Sequence, residues 1–204
     1  MLKKEPEKLV FLRHRFSRLI DMATAYQVFR TQEVEIGKDK IIQNPIVTGQ
    51  VAQTLMIQLY SYLYSIFDYH PQWNSVDFIS ITDNLREDFD TDTIKIHDKV
   101  KDLWQQIKLP LKVLRNKVGF HQEDNEEGVN EGYGQLNAIH PLLPLLLIQY
   151  LRVFFRSMDF IYERKEGMLT PGTRIELEKL RSMVEEYEQY ILDQSTDLDL
   201  SELI

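Results

Sequence analysis

The sequence contains no cysteine. Disulfides, thiolate metal ligands and a cysteine nucleophile are therefore excluded, and the absence is typical of proteins from a reducing compartment. Glycine and proline are also scarce, with 8 and 7 among 204 residues, whereas hydrophobic residues make up 43%. Fibrous and disordered proteins have a different composition. We therefore expect a folded, cytoplasmic protein.

The sequence also lacks an apolar run long enough to span a bilayer, which requires about 20 residues. The most apolar stretch, residues 142–162, is interrupted by Gln149, Arg152, Arg156 and Asp159. At the N-terminus no small-residue cleavage site follows an apolar stretch, so we expect no signal peptide. These observations predict a protein with no membrane partner.

Basic residues are fewer than acidic ones, 24 against 32, which gives a formal net charge of −8. Sequence-independent binding of nucleic acid requires basic residues that neutralise phosphates, so the average charge disfavours it. One segment departs from this average, since residues 95–117 contain seven basic and two acidic residues. A charge run of this kind is more often a solvated helix face than a binding site. The seven basic residues are Lys95, Lys99, Lys101, Lys108, Lys112, Arg115 and Lys117.

No segment alternates apolar and polar residues convincingly as a strand, so the predicted fold class is all-α. Apolar residues at steps of three and four predict helices over about 7–32, 47–70, 92–110 and 142–165, with a short helix around 76–85. Pro110 should kink or restart the third of the long helices, and Gly167 is placed to end the fourth.

The C-terminal part of the chain is predicted to contain one more helix. It begins near Thr173, where Thr173 and Glu176 fit a capping box. Residues 1–194 are then expected to form one domain, and residues 195–204 a flexible or docking tail. Residues 123–134 combine five acidic residues with three glycines and are predicted to form a long loop that cannot pack a core.

The segment from Arg115 to His121 is the best indication of function. Arginine can donate two hydrogen bonds to one phosphate, and histidine can accept and donate protons near neutral pH. On an unbroken helix these two side chains would point about 120° apart. Convergence therefore requires either a local break at Gly119 or a two-fold dimer in which each copy contributes its own pair.

An arginine followed directly by a polar residue and, after a short spacer, by a histidine resembles the motif of the HEPN superfamily. Arg115, Asn116 and His121 match this motif, with five residues between Arg115 and His121. The length of the chain is similar to that of the abortive-infection branch of the superfamily. Many toxin-type HEPN proteins carry a tyrosine two residues after the histidine, where this sequence has Glu123, so the resemblance does not extend to that group.

This resemblance implies a HEPN-like up-and-down helical bundle with an additional C-terminal helix, and metal-independent cleavage of RNA by attack of the ribose 2′-hydroxyl on the adjacent phosphate. His121 would act as general base or acid, Arg115 would stabilise charge on the phosphorane oxygens, and Asn116 would orient the histidine or the phosphate. One histidine cannot easily fill both proton-transfer roles, so a homodimer is expected. The resemblance also implies a stress or phage-defence setting, with an antitoxin or regulatory protein as partner.

A second interpretation is a non-catalytic helical module that binds RNA, a nucleotide or a protein partner. Catalysis requires Arg115 and His121 to face one solvent-open cleft, whereas a structural arginine would be buried against a carboxylate such as Asp98 or Asp102.

The remaining histidines lack metal-binding spacing and no phosphate-binding glycine loop is present, so we expect neither a metal nor a cofactor. The aromatic residues of 60–73 could stack bases, but their helical spacing favours core packing.

Overall fold

The structure, a computed structural model, describes residues 2–30, 34–35, 41–42, 45–68, 77–119, 130–134, 140, 142–163 and 173–197. Within these ranges the protein is all-α, as the sequence predicts, apart from two short pairs of strands. The helices are α1 (Glu7–Arg30), α2 (Pro45–Phe67), α3 (Phe78–Asp83), α4 (Thr91–Leu114), α5 (Leu143–Met158) and α6 (Arg174–Asp197). A 3-10 turn, Arg86–Asp88, precedes α4, and a π-helical segment, Arg115–Gly119, follows it directly. No helix in the described ranges is long and apolar enough to cross a membrane.

The chain divides into two compact units, the first of which comprises Met1–Val10, Ile79–Lys108 and Asn137–Ile204. In this unit α5 packs against α6. Because most of its residues are apolar, α5 is buried along nearly its whole length. The strand β1 (Lys3–Lys4) pairs in parallel with β4 (Tyr162–Glu163). The N-terminal residues are thereby fixed to the chain that follows α5.

The second unit comprises Phe11–Phe78 and Leu109–Leu136. Its α2 is buried on two adjacent stripes, which confirms that this helix and several of its aromatic side chains belong to a core. The buried residues of α2 include Leu59, Tyr60, Leu63, Tyr64, Ile66 and Phe67. The π-helical segment packs against α2, and β2 (Val34–Glu35) pairs antiparallel with β3 (Ile41–Ile42). The expectation of one domain over residues 1–194 stays a prediction.

The start of α6 confirms the predicted capping box. The Thr173 amide donates to the Glu176 carboxylate over 2.6 Å, and the Glu176 amide donates to Oγ1 of Thr173 over 3.2 Å. These two bonds satisfy backbone donors that have no partner inside the helix. The helix continues to Asp197, three residues into the predicted tail, and the rest of the tail lies outside the described residues.

The predicted end of the fourth long helix near Lys165 is wrong, because α5 ends at Met158. Beyond it, the amides of Asp159 and Phe160 donate to carbonyls three residues back, which tightens and closes the helix. The chain then becomes extended so that β4 can pair with β1, and the Lys3 amide donates to the Ile161 carbonyl over 2.9 Å. A partner from the other end of the sequence therefore ends the helix. The proposed stop at Gly167 lies outside the described residues.

Two expectations for the segment around the motif can be compared with the structure. Helix α4 does not restart at Pro110 but continues through it to Leu114, and a kink at Pro110 stays a prediction. Leu111 and Leu114 are fully buried, and this burial offsets the hydrogen bond that proline removes. Residues 130–134, expected to belong to a loop without core contacts, are helical and bury Gly132; residues 123–129 lie outside the described part of the chain.

Candidate functional site

The motif begins where α4 changes into the π-helical segment. Arg115 is the first residue of that segment, Asn116 the second and Gly119 the last. The regular α-helical geometry is thus lost over the five residues Arg115–Gly119. Single π-turns inside helices occur frequently at functional sites. His121 lies outside the described residues, so its distance from Arg115 and Asn116 stays untested.

Arg115 is held from two sides by residues at the C-terminal end of α2. Its Nη1 donates a hydrogen bond to Oδ2 of Asp68 over 2.8 Å, and its guanidinium carbon lies 5.2 Å from the centre of the Tyr64 ring. The Arg115 side chain is 28% exposed and that of Asp68 is 32% exposed. Arg115 is therefore neither sealed in a core nor free in solvent. Its carboxylate partner is Asp68 rather than Asp98 or Asp102.

Among the described residues, one donor of Arg115 has no acceptor. In the described part of the chain, Asp68 accepts its hydrogen bond through Nη1, whereas Nε is buried without any partner. A buried donor without an acceptor costs about 1–3 kcal/mol. Asp68 therefore fixes the direction of the guanidinium, while 28% of the Arg115 side chain stays exposed to solvent.

The position of Asp68 has an electrostatic cost of its own. It follows the last residue of α2, where the partial negative charge of a helix C-terminus disfavours a carboxylate by about 0.3–1 kcal/mol. The Arg115 charge compensates this effect. Burial raises the pKa of the neighbouring Tyr64 hydroxyl above its usual value, Asp68 adds to the rise and Arg115 opposes it. Tyr64 consequently stays neutral and serves as an aromatic platform for the guanidinium.

The helical turn of residues 130–134 packs directly on the motif. A Cβ atom added at Gly132 would lie 2.6 Å from Cγ2 of Val118 and 3.3 Å from Cβ of Lys117, so only glycine allows this approach. Glu131 lies within 3.6 Å of the Lys117 ammonium. The turn also reaches α2, because Gln53 donates to the Tyr133 hydroxyl over 3.2 Å. These contacts hold Lys117 and Val118 in the π-helical segment in place.

The basic run of residues 95–117 is largely neutralised in three dimensions. Within the described ranges, five of its seven basic residues lie next to carboxylates, while Lys108 and Lys112 are exposed and have no such partner. The five pairs are Lys95 with Asp92, Lys99 with Glu188, Lys101 with Asp83, Arg115 with Asp68, and Lys117 with Glu131. The uncompensated charge therefore lies in the C-terminal part of α4, close to the motif.

A second polar cluster, in the first unit, centres on the fully buried His97. Arg86 donates to its Nδ1 over 3.0 Å, which leaves the ring proton on Nε2 to be donated to Oγ1 of Thr82 over 2.8 Å. The same guanidinium binds both oxygens of Asp98, at 2.6 and 2.8 Å. Burial lowers the pKa of His97 below its usual 6.5, with Arg86 and Lys101 contributing and Asp83 and Asp98 opposing. His97 therefore serves as a neutral connector between α4 and the turn before it.

Sequence reasoning missed both Asp68 and the His97 cluster. Asp68 is 47 residues from Arg115, and no local pattern links them. The residues around His97 likewise come from separate elements at spacings that match no metal or catalytic motif. Among the described residues, no group of three or more His, Asp or Glu side chains could hold a metal ion.

Comparison of the chain with protein-family models, with curated proteins and with solved structures found no match in any of the three. The resemblance to the HEPN superfamily therefore depends on Arg115, Asn116 and His121 within an all-α chain.

Proposed function

We propose that the protein is a HEPN-type, metal-independent ribonuclease that cleaves RNA by attack of the ribose 2′-hydroxyl on the adjacent phosphate. The observation that supports this most directly is the setting of Arg115. Its guanidinium is oriented by Asp68 and Tyr64, and its side chain remains partly exposed. A fixed cation of this kind stabilises charge that develops on a phosphorane, because it needs little reorganisation when the charge appears.

Each motif residue has a separate role in this proposal. Arg115 binds the scissile phosphate and stabilises its additional negative charge in the transition state. His121 transfers the proton as general base or general acid, and Asn116 orients the phosphate or the imidazole through its amide. A homodimer would bring two copies of His121 to one site and so provide both proton-transfer roles. Stress response or phage defence, under control of an antitoxin or regulatory protein, is the proposed setting.

Asp68 and Tyr64 hold Arg115 in this proposal and do not contact the reacting atoms. A carboxylate that accepts from Nη1 stops rotation of the guanidinium, and the ring restricts its movement out of plane. Rate enhancement of this type depends on groups being held in place before the substrate binds. Asp68 is thus assigned as a positioning residue, which the motif alone does not reveal.

One observation favours the second candidate function, a non-catalytic module that binds RNA, a nucleotide or a protein. The ion pair with Asp68 neutralises Arg115, and a paired arginine can serve stability alone. In that case Asp68 and Arg115 are a structural pair, and His121 has no chemical role. The two candidates differ in the chemistry that the purified protein performs on RNA.

The products of RNA cleavage test the proposal. Single-stranded RNA is incubated with the protein in a buffer that contains a chelator, and the new termini are identified by mass spectrometry. We expect 2′,3′-cyclic phosphate and 5′-hydroxyl ends, and no cleavage when every 2′-hydroxyl is methylated. Intact RNA, or cleavage that requires a divalent cation and leaves 5′-phosphates, would exclude the proposed mechanism.

A further inference from the structure

Lys112 lies on the last turn of α4, close in the chain to both described motif residues. It precedes Arg115 by three residues and Asn116 by four. Because α4 is a regular α-helix up to Leu114 and the π-helical segment starts at Arg115, the α-helical spacing applies only to Lys112 and Arg115, whose Cβ atoms should be about 5–6 Å apart. Lys112 is therefore placed about one helical turn before Arg115.

The charge of Lys112 is not compensated in the part of the chain that the structure describes. Its side chain is exposed, and among the described residues no carboxylate forms an ion pair with it, whereas Lys95, Lys99 and Lys101 on the same helix each pair with one. A lysine without an ion-pair partner keeps its whole charge for a polyanion and has no bond to break on binding. Lys117, also close to the motif, is paired with Glu131.

We propose that Lys112 binds the RNA phosphate next to the one held by Arg115, so that the substrate strand runs along the last turns of α4. This inference rests on the proposed ribonuclease function and adds the path of the substrate to it. The ammonium group of a lysine, at the end of a flexible side chain, binds phosphate through its charge and does not discriminate between bases. The contact should therefore position single-stranded RNA of any sequence, with cleavage left to Arg115 and His121.

Salt dependence of binding measures such a contact independently of cleavage. A fluorescent single-stranded 2′-O-methyl oligonucleotide, which cannot be cleaved by 2′-hydroxyl attack, is titrated with wild type, Lys112→Ala, Lys112→Arg and Lys95→Ala between about 50 and 200 mM salt. Lys95→Ala removes the same charge from the same helix at a position 73% exposed and paired with Asp92. A polyglutamate peptide of similar charge serves as a protein-like polyanion.

We expect Lys112→Ala to reduce the slope of log K against log salt by about 0.7, the value for one phosphate contact on a single strand. Lys112→Arg and Lys95→Ala should retain the wild-type slope. An unchanged slope in Lys112→Ala, an equal decrease in Lys95→Ala, no oligonucleotide binding by the wild type, or Lys112-dependent binding that prefers polyglutamate would each overturn the inference. Binding with the expected slopes but without cleavage of unmodified RNA would contradict the ribonuclease function and leave the Lys112 contact supported.

Discussion

Nη1 of Arg115 lies 2.8 Å from Oδ2 of Asp68, the residue directly after α2. The pair joins the end of α2 to the first residue of the π-helical segment, and both partners are about one-third exposed. Its effect on stability should therefore lie between that of a surface ion pair, about 0–1 kcal/mol, and that of a buried pair broken at one side, about 3–5 kcal/mol.

We predict that Arg115→Ala and Asp68→Asn each lower the free energy of unfolding by about 1–3 kcal/mol, and that the double variant loses less than the sum. Urea denaturation of the four proteins measures the coupling. The exposed pair of Lys95 and Asp92 provides a control cycle, in which the coupling should be close to zero. Strictly additive losses for Arg115 and Asp68 would show that the pair does not hold the segment.

The contact between Gly132 and Val118 gives a second prediction. Gly132→Ala should lower stability by about 1–3 kcal/mol and reduce activity, because the new methyl group forces Val118 and the π-helical segment to move. Gly134→Ala in the same turn is the matched control, since a Cβ there meets nothing within 4 Å. Alanine at that position should be neutral or slightly stabilising. Thermal denaturation of both variants makes the comparison, and equal behaviour would contradict the close packing of this turn on the motif.

The His97 cluster predicts a loss of stability in mild acid. Because the pKa of His97 is lowered in the folded protein, the unfolded chain binds a proton first as the pH falls below about 6.5, and stability decreases from there toward the folded pKa. His97→Gln keeps an amide for Thr82 and Arg86 but does not titrate. We expect the free energy of unfolding to fall more steeply from pH 7 to pH 5 in the wild type than in this variant. Parallel curves would show that His97 does not contribute.

The acidic groups with lowered pKa values act in a different pH range. Hydrogen bonds from Lys3 and Tyr162 lower the pKa of Asp88, and the bond from Arg86 lowers that of Asp98. Their contribution is complete above about pH 5 and is lost in stronger acid. Comparison of the wild type with His97→Gln between pH 7 and pH 5 therefore separates the effect of His97 from that of these carboxylates.

The parts of the fold that could be predicted from sequence are those specified by local patterns. The apolar period of α1 and α2 and the capping box at Thr173 each depend on residues a few positions apart, and each matches the structure. The end of α5 could not be predicted, because β1 at the other end of the chain determines it. Residues 130–134 were misassigned since their composition indicates a loop, whereas Gly132 is needed there for close packing.

The same distinction applies to the candidate site. The motif in the sequence marks Arg115 and Asn116 as candidate site residues. Nothing near them in sequence indicates that Asp68 contacts Arg115. The sequence also overstates the positive charge of residues 95–117. Lys99 and Lys101 are neutralised by Glu188 and Asp83, which come from other elements. Tertiary contacts therefore determined which charges are available, and local sequence could not show them.

Single-turnover cleavage of single-stranded RNA in the presence of a chelator is the most direct test of the proposed activity. The wild type should cleave, Arg115→Ala and His121→Ala should reduce the rate by at least about 100-fold while circular dichroism shows retained helicity, and Asn116→Ala should have a smaller effect. Working below the unfolding transition of each variant separates activity from the stability loss expected for Arg115→Ala. Inactive wild-type protein, or a His121→Ala variant that cleaves at the wild-type rate, would contradict the account.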